Sequence, residues 1–154
     1  MGAGSTQVTI AQYSSQVIKE GGKNKTQGNF EILSKAWDSS LGGFNFDIKL
    51  AELLAEKFNT IWKTKRSYKE NDQLNNYILP MTKLKILANK IKEILSANSE
   101  FPVKIEQLYN NIDLNTKITR IEFEEICIDL FNKITIPIDI ALKKANLQIS
   151  DLYA

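Results

Sequence analysis

The apolar residues change their period at Gly42-Gly43, and that change restricts the chain to folds that mix sheet and helix. Before the glycine pair, Val8, Ile10 and Tyr13 stand among polar residues in Gln7 to Tyr13, a β-branched pattern near period two that predicts a strand. The polar, glycine-rich stretch Lys19 to Gly28 predicts a long hairpin loop. Apolar residues resume at Phe30, Ile32, Leu33 and Ala36, giving two or three strands around that loop. Beyond the pair, Phe46, Leu50, Leu53, Leu54, Phe58 and Ile61 form the single stripe of an amphipathic helix ending near Trp62. Leu84, Leu87, Ala88, Ile91 and Leu95 predict a second helix, with Pro80 in its first turn or at a kink in a longer helix from Asp72. Its opposite face carries Lys83, Lys85, Asn89, Lys92, Glu93 and Ser96, which without further information reads as solvated.

Alternation then returns. Val103, Ile105, Ile112, Leu114 and Ile118 flank Tyr109-Asn110-Asn111 and predict a β-hairpin. Thr119-Arg120-Ile121-Glu122 has the capping-box form and is expected to open the longest helix. Its stripe would bury Phe123, Ile126, Cys127, Leu130, Phe131 and Ile134, and Pro137 would kink or break it before Ala141, Leu142 and Ala145.

Composition narrows the chemistry. The 154 residues are 43% hydrophobic, enough for one globular domain or part of one. There is no histidine, so the usual general base, the triad imidazole and the commonest metal ligand are missing. A single cysteine, Cys127, builds no intrachain disulfide or thiolate cage, and its place in an apolar stripe reads as core. The net charge of +2 gives no field for nucleic acid or anionic membrane, and the short cationic run Lys63 to Lys69 reads as solvated. Neither nucleic acid nor membrane is therefore expected as a partner. The N-terminal Met-Gly-Ala-Gly-Ser-Thr lacks the regions of a signal peptide and reads as a phosphate-type turn cut from its preceding strand, so an excised fragment is expected. Asn24-Lys25-Thr26 has the N-glycosylation pattern, one that is common by chance in an asparagine-rich chain.

Two glycine clusters suit phosphate binding: Gly2-Ala3-Gly4-Ser5-Thr6 before a strand and Leu41-Gly42-Gly43 before a helix. Glycine admits close backbone approach, and free amides in a turn or at a helix start donate to phosphate oxygens. Either cluster alone is a weak signal. Asp38-Ser39-Ser40-Leu41-Gly42-Gly43-Phe44-Asn45-Phe46-Asp47, then Leu95-Ser96-Ala97-Asn98, then Ile118-Thr119-Arg120-Ile121-Glu122-Phe123-Glu124-Glu125-Ile126-Cys127 with Asp129-Leu130-Phe131, together resemble the ATPase domain of the seventy-kilodalton heat-shock protein family. The resemblance covers essentially the whole chain. Within the family, Gly2 to Ile10 and Ala88-Asn89-Lys90-Ile91-Lys92 look most like the large endoplasmic-reticulum branch, with the cytosolic large branch as the alternative.

The resemblance implies an α/β fold: part of lobe II of an actin-like ATPase, a few strands of its core sheet plus a helical peripheral subdomain with a small hairpin sheet. Residues 1–41 would be core sheet, 42–145 the peripheral subdomain and 146–154 the start of the return to the sheet. It implies a phosphate-contacting turn at Gly2, Ala3, Gly4 and Ser5, with Ala3 where the family has glycine, and a glycine pair near the phosphates at Gly42 and Gly43. It implies an adenosine-lining face at Asn89, Lys92, Glu93 and Ser96, where Asn89 and Glu93 replace the family's glutamate and arginine. Glu93 cannot supply the arginine's stacking on adenine. ATP or ADP with magnesium is implied for the intact domain, with none tightly held and no hydrolysis by this portion alone. The implied partners are the seventy-kilodalton chaperone of the same compartment, for which the large branch acts as nucleotide-exchange factor, and unfolded clients bound through other domains. The endoplasmic-reticulum lumen is the implied location, with the cytoplasm as alternative. A rival reading is an interaction module that docks a co-chaperone without nucleotide.

Overall fold

The structure, a computed structural model, describes residues 1–65, 68–69 and 72–153. In chain order the elements are β1 (Thr6–Glu20), β2 (Lys23–Asp38), α1 (Gly43–Trp62), α2 (Ile78–Leu95), β3 (Glu100–Tyr109), β4 (Ile112–Thr119), α3 (Arg120–Ile126), α4 (Ile128–Ile134) and α5 (Ile136–Ala145). Short 3-10 turns lie at Leu74–Asn76 and Ile149–Asp151. Sheet and helix are mixed, as the change of period requires. The chain forms two compact units, Met1–Gly42 with Asn132–Ala154, and Gly43–Phe131.

The first unit is built on the antiparallel pair β1–β2. The loop expected at Lys19 to Gly28 does not form: the strands pair out to Glu20 and Lys23, and Gly21 (φ 60°) and Gly22 (φ 77°) close them. Two successive positive φ values make the tight hairpin turn whose twist matches the strands, and glycine adopts them without a Cβ penalty. A bulge leaves Leu33 without a direct partner, since Ile10 pairs with Ser34 and Ala11 with Ile32. Only the base of the hairpin is covered. Ile10 and Ala36 are buried against Ala141 and Leu142 of α5, and Ser34 Oγ donates to the Ala141 carbonyl at 2.7 Å. Tyr13, Phe30, Ile32 and Leu33, read from the sequence as part of the apolar pattern, are exposed.

In the second unit, α1 buries Phe46, Leu50, Leu54, Phe58 and Trp62 at four-residue steps and packs on α2. The longer helix considered from Asp72 does not form. Tyr77 is extended (φ −112°, ψ 116°), and the 3-10 turn ahead of it is pinned by Leu74 N–H donating to Asn59 Oδ1 at 2.9 Å. Pro80 is the third residue of α2, in the first turn where its missing N–H costs no helical bond. The β3–β4 hairpin turns at Asn110 (φ 50°) and Asn111 (φ 57°), as the sequence predicts. Trp62 is fully buried among the rings of Phe58, Tyr68, Tyr77 and Tyr109, with centroids 5.1 to 6.1 Å away. The Tyr77 phenol is pushed up to about 12 by its hydrogen bond with Tyr109, by desolvation and by the Asp72 charge. Arg66 and Ser67 of the cationic run lie outside the described residues.

The capping box forms. Thr119 Oγ1 accepts from Glu122 N–H at 3.2 Å, and Thr119 N–H donates to Glu122 Oε2 at 2.9 Å. The expected longest helix does not follow it. The run is divided at Cys127 (φ −102°, ψ 4°) and at Thr135, where Pro137 withholds the N–H that would continue the ladder; the 20-residue α1 is longer than any of the pieces. Phe131 is consequently exposed, and Ile126 and Ile134 are only half-buried, while Phe123, Cys127 and Leu130 are buried. Burial, reinforced by the Asp129 charge, pushes the Cys127 thiol up to about 11, as suits a core residue and not a nucleophile.

Thr119→Ala is expected to cost about 1 kcal/mol, read as a shift of the denaturation midpoint. Burial works to raise the Glu122 carboxyl, but the Lys57 ammonium at 2.6 Å and the Thr119 amide and hydroxyl override it and hold it below its ordinary value. A carboxyl lowered by folding stabilises above its unfolded pKa, and the stabilisation fades as pH falls through the folded value. Glu122→Gln is therefore expected to remove part of the loss of stability on acidification below the ordinary glutamate range.

Candidate functional site

Gly2, Ala3, Gly4, Ser5 and Gly42 belong to the hairpin unit. The chain ahead of β1 bends so that Gly2 N–H donates to the Ser5 carbonyl at 2.7 Å. The amides of Ala3 and Gly4 have no hydrogen-bond partner among the described residues. Thr6 Oγ1 donates to the Leu41 carbonyl at 2.8 Å, tying the start of β1 to the chain beyond β2. That chain begins with a tight turn in which the Asp38 carboxylate accepts from Ser40 Oγ and Ser40 N–H, both at 2.7 Å, which hold its pKa below the ordinary value.

The glycines differ in why they must be glycine. A Cβ at Gly42 would collide with the Ala3 carbonyl oxygen and lie 2.6 Å from the carbonyl carbons of Ala3 and Gly4. Backbone meets backbone there, so packing alone demands glycine. At Gly4 a Cβ would meet nothing within 4 Å, and the backbone φ is not in the left-handed region. Neither packing nor conformation within the unit requires glycine at that position, which carries one of the two unpartnered amides.

Gly43, Asn89, Lys92, Glu93 and Ser96 belong to the helical unit. Gly43 opens α1, and the others lie on α2 or, for Ser96, at its C-cap. Lys92 is not simply solvated. Its Nζ lies 2.6 Å from Asp47 Oδ1 and donates to the Gly43 carbonyl at 3.1 Å. Asn89 Nδ2 donates to Asp47 Oδ2 at 3.1 Å. Asp47 Oδ1 accepts no aligned hydrogen bond among the described residues, so Lys92 holds it by charge and proximity. Asp47 is 8% exposed against 26% for Lys92, and a carboxylate so placed needs its cation. Ser96 Oγ donates to the Glu93 carbonyl at 2.6 Å, which leaves its oxygen as an acceptor toward solvent. Glu93 is exposed.

Asp47 escaped the sequence reading although a signal existed. It stands beside Phe46, one turn before Leu50 and Ala51, on the face that the α1 stripe buries. A carboxylate on a buried face calls for a cationic partner. Among the described residues no helix is long and apolar enough to cross a membrane.

Residues 15–154 match the family described as Hsp70 protein. Hypoxia up-regulated protein 1 of Xenopus tropicalis is 37% identical over 152 residues, covering 99% of this chain and 22% of that protein. The Homo sapiens protein of the same name is 36% identical over 154 residues, covering 99% and 14%. Heat shock 70 kDa protein 17 of Arabidopsis thaliana is 34% identical over 154 residues, covering 100% and 17%. The chain thus spans between 14% and 22% of the length of these curated relatives. A family match over residues 15–154, joined to these identities, makes this chain a member of the Hsp70 protein family.

Proposed function

We propose that the turn Gly2–Ser5 binds the phosphates of a nucleotide, as part of the ATPase domain of a large-branch heat-shock chaperone that assists protein folding. The observation that carries this is the pairing of open space at Gly4 with unpartnered amides at Ala3 and Gly4. Such amides donate to phosphate oxygens, and a glycine that packing does not explain is what close approach of a ligand would select. ATP supplies the phosphoryl group and magnesium its counter-charge; this chain supplies backbone donors at the turn. On α2, Ser96 offers an acceptor one turn from Lys92, whose ammonium donates to the Gly43 carbonyl and pairs with Asp47 by charge. Asn89, Lys92, Glu93 and Ser96 form the face proposed to receive adenosine. The same proposal, resting on the resemblance of Gly2 to Ile10 and Ala88 to Lys92 to the large branch, takes in a nucleotide-exchange role toward a seventy-kilodalton partner, client binding by regions outside this chain, and residence in the endoplasmic-reticulum lumen.

Equilibrium binding of ADP to the full-length protein and its Gly4→Val variant tests the phosphate assignment. A Cβ at position 4 meets nothing within 4 Å, so the variant's melting temperature should be unchanged while affinity falls at least about tenfold, or 1.4 kcal/mol. Equal affinity would reject the turn as the phosphate site. The 154-residue chain alone is expected to show no ATP turnover above background, because phosphoryl transfer needs groups on both sides of the phosphates. A second reading, an interaction module without nucleotide, is favoured by Glu93 in place of a stacking cation and by the engagement of Lys92 with Asp47. No ADP binding by the full-length protein at millimolar nucleotide would favour it.

A further inference from the structure

We propose that Asn24 is an N-glycosylation acceptor. Of the 14 asparagines in the sequence it alone stands in an Asn-x-Ser/Thr triplet, with Lys25 between it and Thr26. The fold places that triplet at the most open part of the hairpin unit. Asn24 is the second residue of β2, directly after the Gly21-Gly22 turn, and every residue from 21 through 33 is exposed. Its side-chain amide has no hydrogen-bond partner among the described residues. Asn24 pairs with Lys19 and Thr26 with Val17, which puts Asn24 and Thr26 on one face of the ribbon. The ion pair between Lys25 and Glu20 at 2.9 Å occupies the other face. A bulky polar sugar on Asn24 would therefore displace no packing and break no ion pair.

The reaction transfers an oligosaccharide from a lipid pyrophosphate donor. Asn24 Nδ2 forms a bond to the anomeric carbon of the first sugar and gives up one proton. The bond from that carbon to the pyrophosphate oxygen breaks, and the lipid pyrophosphate leaves with the electron pair. Thr26 supplies the hydroxyl that selects the triplet.

The proposal rests on the lumenal placement above, and the experiment supplies the lumen itself so that the two fail separately. The 154-residue chain is translated behind a cleavable signal sequence with microsomes, and only protease-protected product is scored. One discrete mobility upshift, reversed by endoglycosidase, is expected. It should vanish in Asn24→Gln and Thr26→Ala and persist in Thr26→Ser. Protected chain at unmodified mobility would overturn the assignment of Asn24, as would an upshift that survives Asn24→Gln. Placement is tested apart from this: full-length protein open to protease in intact microsomes of its own host would reject the lumen and leave the acceptor result standing.

Discussion

Trp62→Ala is expected to destabilise the helical unit by about 3 to 5 kcal/mol, seen as a lower denaturation midpoint by circular dichroism. Trp62 is fully buried and its ring meets four others, so alanine removes both a large apolar surface and a set of ring-edge contacts. Such contacts contribute roughly 0.5 to 1.5 kcal/mol per pair beyond area burial, which favours the upper end of the range. Phe123→Ala falls under the same rule, but Phe123 retains 9% of its exposure and belongs at the lower end. The indole N–H of Trp62 has no hydrogen-bond acceptor among the described residues. Trp62→Phe therefore sacrifices volume but no hydrogen bond and should cost a fraction of the alanine change. Equal costs for the two variants would mean that the indole nitrogen carries an interaction of its own.

Lys92→Met is expected to cost about 3 kcal/mol, the low end for breaking a buried ion pair, because a quarter-exposed lysine is partly screened. Most of the cost is the carboxylate left behind in the apolar stripe of α1, with Asn89 as its remaining donor. Asp47→Asn in the Lys92→Met background should recover much of it. A double variant as unstable as the sum of the singles would show that the two side chains act independently.

These elements also show what a sequence discloses. The stripe of α1, the Asn110-Asn111 turn and the Thr119 capping box were legible because burial or backbone satisfaction acts through residues close in sequence. The distal halves of β1 and β2 were not. Both their faces meet solvent, so no apolar alternation marks them, and lysine, asparagine and glycine read as loop. Only the Gly21-Gly22 turn betrayed the pairing. The continuous stripe after Thr119 hid two breaks, since apolar spacing survives a tightened turn at Cys127. At the candidate site, Lys92 was found by resemblance, but its commitment to Asp47 joins residues 45 apart on two helices, a distance over which no local pattern reports. The contrast between Gly42, where backbone fills the space a Cβ would need, and Gly4, where that space is open, is likewise invisible in the letters, because both are glycine and only their neighbours differ.

The first unit is discontinuous in sequence, and synthesis is not. The hairpin can zip as soon as its two-residue turn has been made, yet the bond from Ser34 to Ala141 spans 107 residues. At roughly 5 to 20 residues per second the ribosome needs on the order of 5 to 20 s to supply that distance. Meanwhile Ala141 and Leu142, against which Ile10 and Ala36 are buried, have not been made, while Gly43–Phe131 emerges as a compact unit of its own. The inserted unit is thus free to fold first, and the hairpin base waits, open to misassociation, until α5 arrives.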